Sequence, residues 1–222
     1  MDITTIHVMR HGEVDNPDGL LYGRLPGFGL TPRGHAMARR VADHLVAEGR
    51  DITAVIASPL KRAQQSGAPT ARAFGVPLES DPRLIEAGNA FEGVPVNANR
   101  WALAEPRYWH LYTNPLRPSW GESYASVASR MSAAVSAALR EARGHEALVV
   151  SHQMPITTLQ RFTAGKPLFH SPLSRVCSLA SLTSLVFEGA TLVGVTYAEP
   201  AADLLHGAAD MTPGTSQASL KR

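Results

Sequence analysis

Cysteine occurs once in the 222 residues, at Cys177, so neither an intramolecular disulfide framework nor a cysteine-ligated zinc site is available. In its setting Arg-Val-Cys-Ser-Leu-Ala the residue reads as a small buried hydrophobe. Charge of one sign is also scarce: the formal net charge is only +2 and basic residues form no run, which argues against a nucleic-acid partner. No stretch approaches the ~20 apolar residues of a membrane span. The first residues lack the basic and apolar regions of a secretory leader. A reduced cytoplasm is therefore the expected setting, with no membrane partner. The helical His-Glu-x-x-His pair of zinc proteases, the P-loop and the Gly-x-Ser-x-Gly elbow of serine hydrolases are all missing.

What remains has the composition of a globular domain, 44% hydrophobic and 18% charged. Thr4 to Met9 reads as a buried strand running into Arg10-His11-Gly12-Glu13. Thr31 and Pro32 mark a helix start as N-cap and first helical residue. Ala38, Val41, Ala42 and Leu45 then carry its apolar stripe, and Gly49 offers the stop. A second strand, Thr53 to Ala57, ends at Ser58-Pro59, read again as a cap and first helical residue. A long helix is expected from about Glu122 to Arg143, a third buried strand over Ala147–Ser151, and another helix opening at Pro155. Ser181–Phe187 and Thr191–Thr196 should close the sheet around the turn Glu188-Gly189. Strands alternating with helices predict an α/β fold, a mostly parallel sheet flanked by helices on both faces. The domain is expected over residues 1–199. Within it, residues 94–120 gather Trp101, Trp109 and Trp120 with Tyr108 and Tyr112, a candidate lid over a ligand or a locally packed subdomain. Residues 200–222, rich in Ala, Gly, Pro, Ser and Thr, have the composition of a tail, although Leu204, Leu205 and Met211 offer docking points.

Ligands of parallel α/β sheets bind beyond the carboxyl ends of the strands. Three polar signals fall there: Arg10-His11-Gly12-Glu13, Ser58-Pro59-Leu60-Lys61-Arg62, and Ser151-His152. Their convergence would put two histidines and two arginines into one crevice. Such a set suits a phosphate ester. Phosphoryl transfer is largely positioning and charge stabilisation, and arginine offers fork-shaped donors for the phosphoryl oxygens. Arg62, in the first turn of a helix, would be joined by free backbone N–H groups. A neutral imidazole is a competent nucleophile, and a carboxylic acid could protonate the leaving oxygen and later activate water.

On these residues, together with Leu30-Thr31-Pro32-Arg33-Gly34, Gly121-Glu122-Ser123 and Val149-Val150-Ser151-His152, the chain resembles the histidine phosphatase superfamily, also called the phosphoglycerate mutase-like family. The resemblance covers roughly residues 4–197. It implies a phosphoglycerate mutase-like fold, phosphorylation of His11, a phosphate pocket of Arg10, Arg62 and His152, and a glutamate as proton donor, with no cofactor or metal. The family's acid segment, Glu-x-x-x-Gly-x-Trp-Glu-Gly, corresponds to Glu86-Ala87-Gly88-Asn89-Ala90-Phe91-Glu92-Gly93, one residue shorter between its glutamates and with Phe for Trp. Glu86 is the expected acid and Glu92 the alternative. The second histidine is followed by Gln153 where the family usually has Gly, so Gln153 could narrow the pocket or add a donor. Asn16 lies somewhat nearer the nucleophile than the family's phosphate-contacting Asn.

His7, His35, His44, His110, His145, His170 and His206 are read as ordinary surface or core residues. Three functions are compatible with the set. The first is a phosphomonoester hydrolase acting on a small phosphorylated metabolite. The second is a phosphoglycerate-type mutase, although the Glu-Arg-His-Tyr-Gly stretch of those enzymes is replaced here by Glu86-Ala87-Gly88-Asn89. The third is a non-catalytic anion-binding protein, which would have no need of His11. A homodimer is left open.

Overall fold

The computed structural model describes residues 2–95, 105–112, 121–171 and 174–210. Six strands form one sheet: β1 (Ile3–Arg10), β2 (Ile52–Ala57), β3 (Leu78–Ser80), β4 (Glu146–Ser151), β5 (Leu182–Glu188) and β6 (Thr191–Ala198), in the order β3-β2-β4-β1-β5-β6. The first four neighbours run parallel, and β5 and β6 complete the sheet antiparallel. Four helices cover it: α1 (Pro32–Ala47), α2 (Lys61–Phe74), α3 (Tyr124–Glu141) and α4 (Gln153–Thr163).

Alternation along the central strands explains the layering. Ile6 and Val8 of β1, Ala54 and Ile56 of β2, and Ala147 and Val149 of β4 face one way, onto Val127 and Met131 of α3 and Ile156 and Leu159 of α4. Met9, Val55, Ala57, Leu148 and Val150 face the other way, onto Met37, Val41 and Leu45 of α1 and Ala63 and Ala71 of α2. A strand buried on both faces reads as a continuous apolar run, which is why β1, β2 and β4 were visible in the sequence.

Three features differ from expectation, the first being that α4 opens at Gln153 rather than at Pro155. Helix α2 opens at Lys61 rather than Pro59, and its N-cap, Leu60, makes no side-chain cap bond. The Ser58 hydroxyl instead lies 2.8 Å from His152 Nε2 and 3.4 Å from the Leu60 amide. Strand β3, three residues pairing parallel with β2, was not anticipated. At α1 the expected start is found: Thr31 caps through its hydroxyl, which accepts from the Gly34 amide at 2.9 Å, and Pro32 follows. Among the described residues no helix is long and apolar enough to cross a membrane.

The composition-defined tail is docked as far as it is described. Ala201 is buried, residues 202–204 form a 3-10 turn, and Leu204, Leu205 and Ala208 pack onto the α1/α2 layer. Met211 lies outside the described residues, as do Trp101 and Trp120 of the aromatic segment. Within that segment Trp109 is exposed and Tyr108 meets the Phe91 ring edge-on.

Candidate active site

Strands β2, β4 and β1 are neighbours, so the residues at their carboxyl ends meet. The Arg-His-Gly-Glu turn is held there by backbone contact with the start of α1. A Cβ on Gly12 would lie 2.6 Å from the Gly34 carbonyl oxygen, and one on Gly34 would lie 2.1 Å from that of Glu13. Only glycine permits this approach at both places. Glu13 adds side-chain anchors, accepting from the Thr31 hydroxyl and, at 2.7 Å, from the Ala209 amide.

His11 is buried, and its Nδ1 lies 2.8 Å from the Gly12 carbonyl. A carbonyl only accepts, so Nδ1 carries the proton and Nε2 keeps its lone pair. Burial, then the charges of Arg62 and Arg10, hold the imidazole pKa well below its ordinary value, so the ring is neutral near pH 7. The His152 ring stands 5.1 Å away, centroid to centroid. Burial, Arg62 and His11 lower its pKa likewise. Its Nε2 lies 2.8 Å from the Ser58 hydroxyl, and its Nδ1 is buried and has no protein partner.

Arg10 is buried and uses three of its five N–H donors on the protein. Nη1 donates to the Cys177 carbonyl and to Asp210 Oδ2, both at 2.7 Å, and Nη2 donates to Asp210 Oδ1 at 2.6 Å. These contacts occupy the end of the guanidinium and leave its Nε/Nη2 edge, where Nε is buried and unpartnered. Arg62 is fully buried, donates from Nη2 to the Gly23 carbonyl at 2.6 Å, and stacks 4.7 Å above the Tyr22 ring. Its Nε, too, is buried without a partner. Tyr22 is pushed up to about 12 by burial, so it stays a neutral phenol. Of six buried side-chain polar atoms lacking a protein partner among the described residues, three belong to Arg10, Arg62 and His152, and the others are helix hydroxyls. Orphaned buried donors are costly unless a ligand satisfies them. Two guanidinium N–H groups and an imidazole nitrogen on one crevice are the fit expected for an oxyanion.

Glu86 follows the turn Pro82–Leu84, which is tied to β4 by the Ser151 hydroxyl donating 2.8 Å to the Leu84 carbonyl. Arg24 Nε donates to the Glu86 carbonyl at 2.7 Å while Arg24 Nη2 pairs with Glu122 at 2.7 Å. Burial raises the Glu86 pKa above its ordinary value. The bond from the Ala87 amide and the charges of Arg62, Arg175 and Arg10 oppose that rise. Glu92 is placed otherwise: its Oε1 accepts from the Arg24 amide at 3.0 Å and lies against Gly23, bracing that loop.

Asn16 closes its own loop. Its amide donates to the Leu20 carbonyl at 2.9 Å and accepts from the Leu20 amide at 3.0 Å. Gln153 opens α4, is buried, and accepts from Arg175 Nη1 at 3.3 Å. The structure thus brings His11, His152, Arg10, Arg62 and Glu86 together. It adds Tyr22, Arg175 and Asp210, which sequence reasoning passed over, and Ser58, which was read as a helix cap. Cys177 is buried and pushed up to about 11 by burial, an unreactive thiol. Among the described residues no group of three or more His, Cys, Asp or Glu could hold a metal ion.

Residues 6–199 match the model of the histidine phosphatase superfamily (branch 1). The chain belongs to that superfamily. It is 52% identical over 199 residues to the protein Rv0525 of Mycobacterium tuberculosis, covering 90% of this chain and 98% of that one. It is 32% identical over 168 residues to a probable phosphoglycerate mutase, GpmB, of Yersinia enterocolitica, covering 73% and 75% of the two chains. A crystal structure of a putative alpha-ribazole-5'-P phosphatase from Escherichia coli superposes with a TM-score of 0.68 at 25% identity, covering 86% and 95%. The phosphoglycerate mutase-like fold is therefore shared, and proteins named as phosphatases and as mutases are both among those similar to this chain.

Proposed function

We propose that this histidine phosphatase hydrolyses phosphomonoesters of small metabolites through a phosphohistidine on His11. The observation that carries this reading is the pairing of a buried, neutral His11, its lone pair on Nε2, with the orphaned Nε–H groups of Arg10 and Arg62 and the orphaned Nδ1 of His152. The phosphoryl oxygens would take these three groups as donors, as fixed hydrogen bonds do in phosphoryl transfer. In the first step His11 Nε2 bonds to phosphorus, the ester P–O bond breaks, and Glu86 gives its proton to the departing alkoxide. The phosphorylated ring keeps its Nδ1–H on the Gly12 carbonyl. In the second step Glu86, now a carboxylate, takes a proton from water as it attacks phosphorus. The N–P bond breaks and inorganic phosphate leaves, with His11 neutral and Glu86 protonated again. No step in this scheme calls on a metal, because the two arginines supply the positive charge and His152 adds a neutral donor.

Hydrolysis is preferred to mutase action because the acid loop carries the small residues Ala87, Gly88 and Asn89 in place of a bulky His-Tyr pair, which admits water to the phosphohistidine. Incubation with 3-phosphoglycerate tests this: the expected outcome is steady phosphate release with negligible 2-phosphoglycerate. Interconversion faster than hydrolysis would reverse the assignment. A cytoplasmic setting agrees with the single buried thiol.

A further inference from the structure

Arg175 is a cation the scheme above does not use. It is buried, with only 9% of its surface exposed, and among the described residues no carboxylate lies within ion-pairing distance of it. Its two hydrogen bonds go to neutral groups. Nε donates to His170 Nε2 at 3.0 Å, and Nη1 donates to Gln153 Oε1 at 3.3 Å. His170 is itself fixed as an acceptor. Its Nδ1 lies 2.7 Å from the Leu168 carbonyl and must donate there, and burial lowers its pKa, so Nε2 offers a lone pair. Three of the five guanidinium donors are left over. Among the described residues Nη2 makes no hydrogen bond, yet it is not among the atoms sealed from solvent.

The direction of this fork follows from its neighbours. Gln153 comes directly after His152, and the charge acting most strongly on Arg175 is that of Glu86. Arg175 therefore sits on the side of the crevice where the acid meets the leaving oxygen. It is not one of the donors around His11. When Glu86 holds the proton it must deliver, Arg175 has no anion beside it, a state a buried cation tolerates poorly without a partner.

We infer that Arg175 reads a second anionic group on the alcohol portion of the substrate, a carboxylate or a further phosphate, and so restricts the enzyme to doubly anionic phosphate esters. This inference rests on the phosphatase reading of the site. Gln153 is then a positioning residue that holds the Arg175 fork, in place of the glycine usual in the family.

The test compares kcat/KM for matched esters with the wild-type enzyme and with Arg175→Gln. For the carboxylate, 3-phosphoglycerate is set against glycerol 3-phosphate; for the phosphate, glucose 1,6-bisphosphate against glucose 6-phosphate. Wild type should favour the doubly anionic member of at least one pair by about tenfold to hundredfold, the range of one charge-assisted hydrogen-bonded contact, and whichever pair shows it identifies the anion. Arg175→Gln should erase the preference through KM, with a clearly larger loss on the ester carrying the second anion than on p-nitrophenyl phosphate, which has none. Phosphocholine provides a check that needs no variant, since wild type should discriminate against its cationic group relative to glycerol 3-phosphate. Equal wild-type rates within both pairs, or a uniform loss on all esters in a folded Arg175→Gln protein, would overturn the inference and leave the phosphatase reading standing. Absence of phosphate release from every ester, p-nitrophenyl phosphate included, would overturn the phosphatase reading itself.

Discussion

Replacing Glu86 by Gln isolates the proton from the carboxyl that carries it. Glu86 Oε1 accepts from the Ala87 amide at 2.8 Å, a bond the amide oxygen of Gln can keep. The loop is held from outside the side chain, by Arg24 on the Glu86 carbonyl and by Ser151 on the Leu84 carbonyl. Glu86→Gln should therefore leave the fold intact and remove only acid-base chemistry, which is worth roughly 10²–10⁴-fold, or about 3 to 5 kcal/mol of barrier. That full loss is expected on an alkyl phosphate, whose alkoxide cannot leave unprotonated, and a loss of only a few fold on p-nitrophenyl phosphate. The pH profile carries the same signature. Burial raises the Glu86 pKa above its ordinary value, so the acid form, and with it kcat/KM for the alkyl ester, declines as pH rises through that raised pKa. In Glu86→Gln this alkaline limb should vanish. Glu92→Gln keeps an acceptor for the Arg24 amide and should stay within about threefold on both esters, as a conservative change at a loop brace does. Leaving-group dependence in Glu92→Gln and none in Glu86→Gln would show that the shortened loop has moved the acid, and the reasoning would be wrong.

Asp210 fixes the end of Arg10 from 200 residues away in sequence, so Asp210→Ala should raise KM for p-nitrophenyl phosphate by about tenfold, the scale of one charged hydrogen-bonded contact, while Asp210→Glu retains part of it. An unchanged KM in Asp210→Ala would mean the clamp does not orient Arg10. Exhaustive chelation should leave activity unaltered, and a loss restored by one divalent ion would contradict the two arginines as the source of positive charge.

How far the fold could be read beforehand depended on whether its signals were local. Strands β1, β2 and β4 are buried on both faces, so each announces itself as an apolar run, and the polar residue at each carboxyl end locates the crevice. The three residues of β3 carry no period of their own and are set only by pairing with β2. Ser58 looked like a helix cap because a hydroxyl before proline is a good local cap; His152, 94 residues later, competes for it. The motif glycines Gly12 and Gly34 were visible as letters, but their reason, the contact of two backbones, is tertiary. Arg175 and Asp210 had no local signal at all. One is a single arginine in an irregular stretch after α4, and the other lies in a segment whose composition suggested a tail.

The central claim is a covalent bond between phosphorus and His11 Nε2, and rapid quench with ³²P-labelled ester tests it most directly. The wild-type protein should yield an acid-labile, base-stable phosphoenzyme that forms and decays at rates consistent with turnover. A folded His11→Ala protein should form none and release no phosphate. Labelled wild type with the phosphoryl group on a residue other than His11, or more than a few per cent of activity in His11→Ala, would contradict the account.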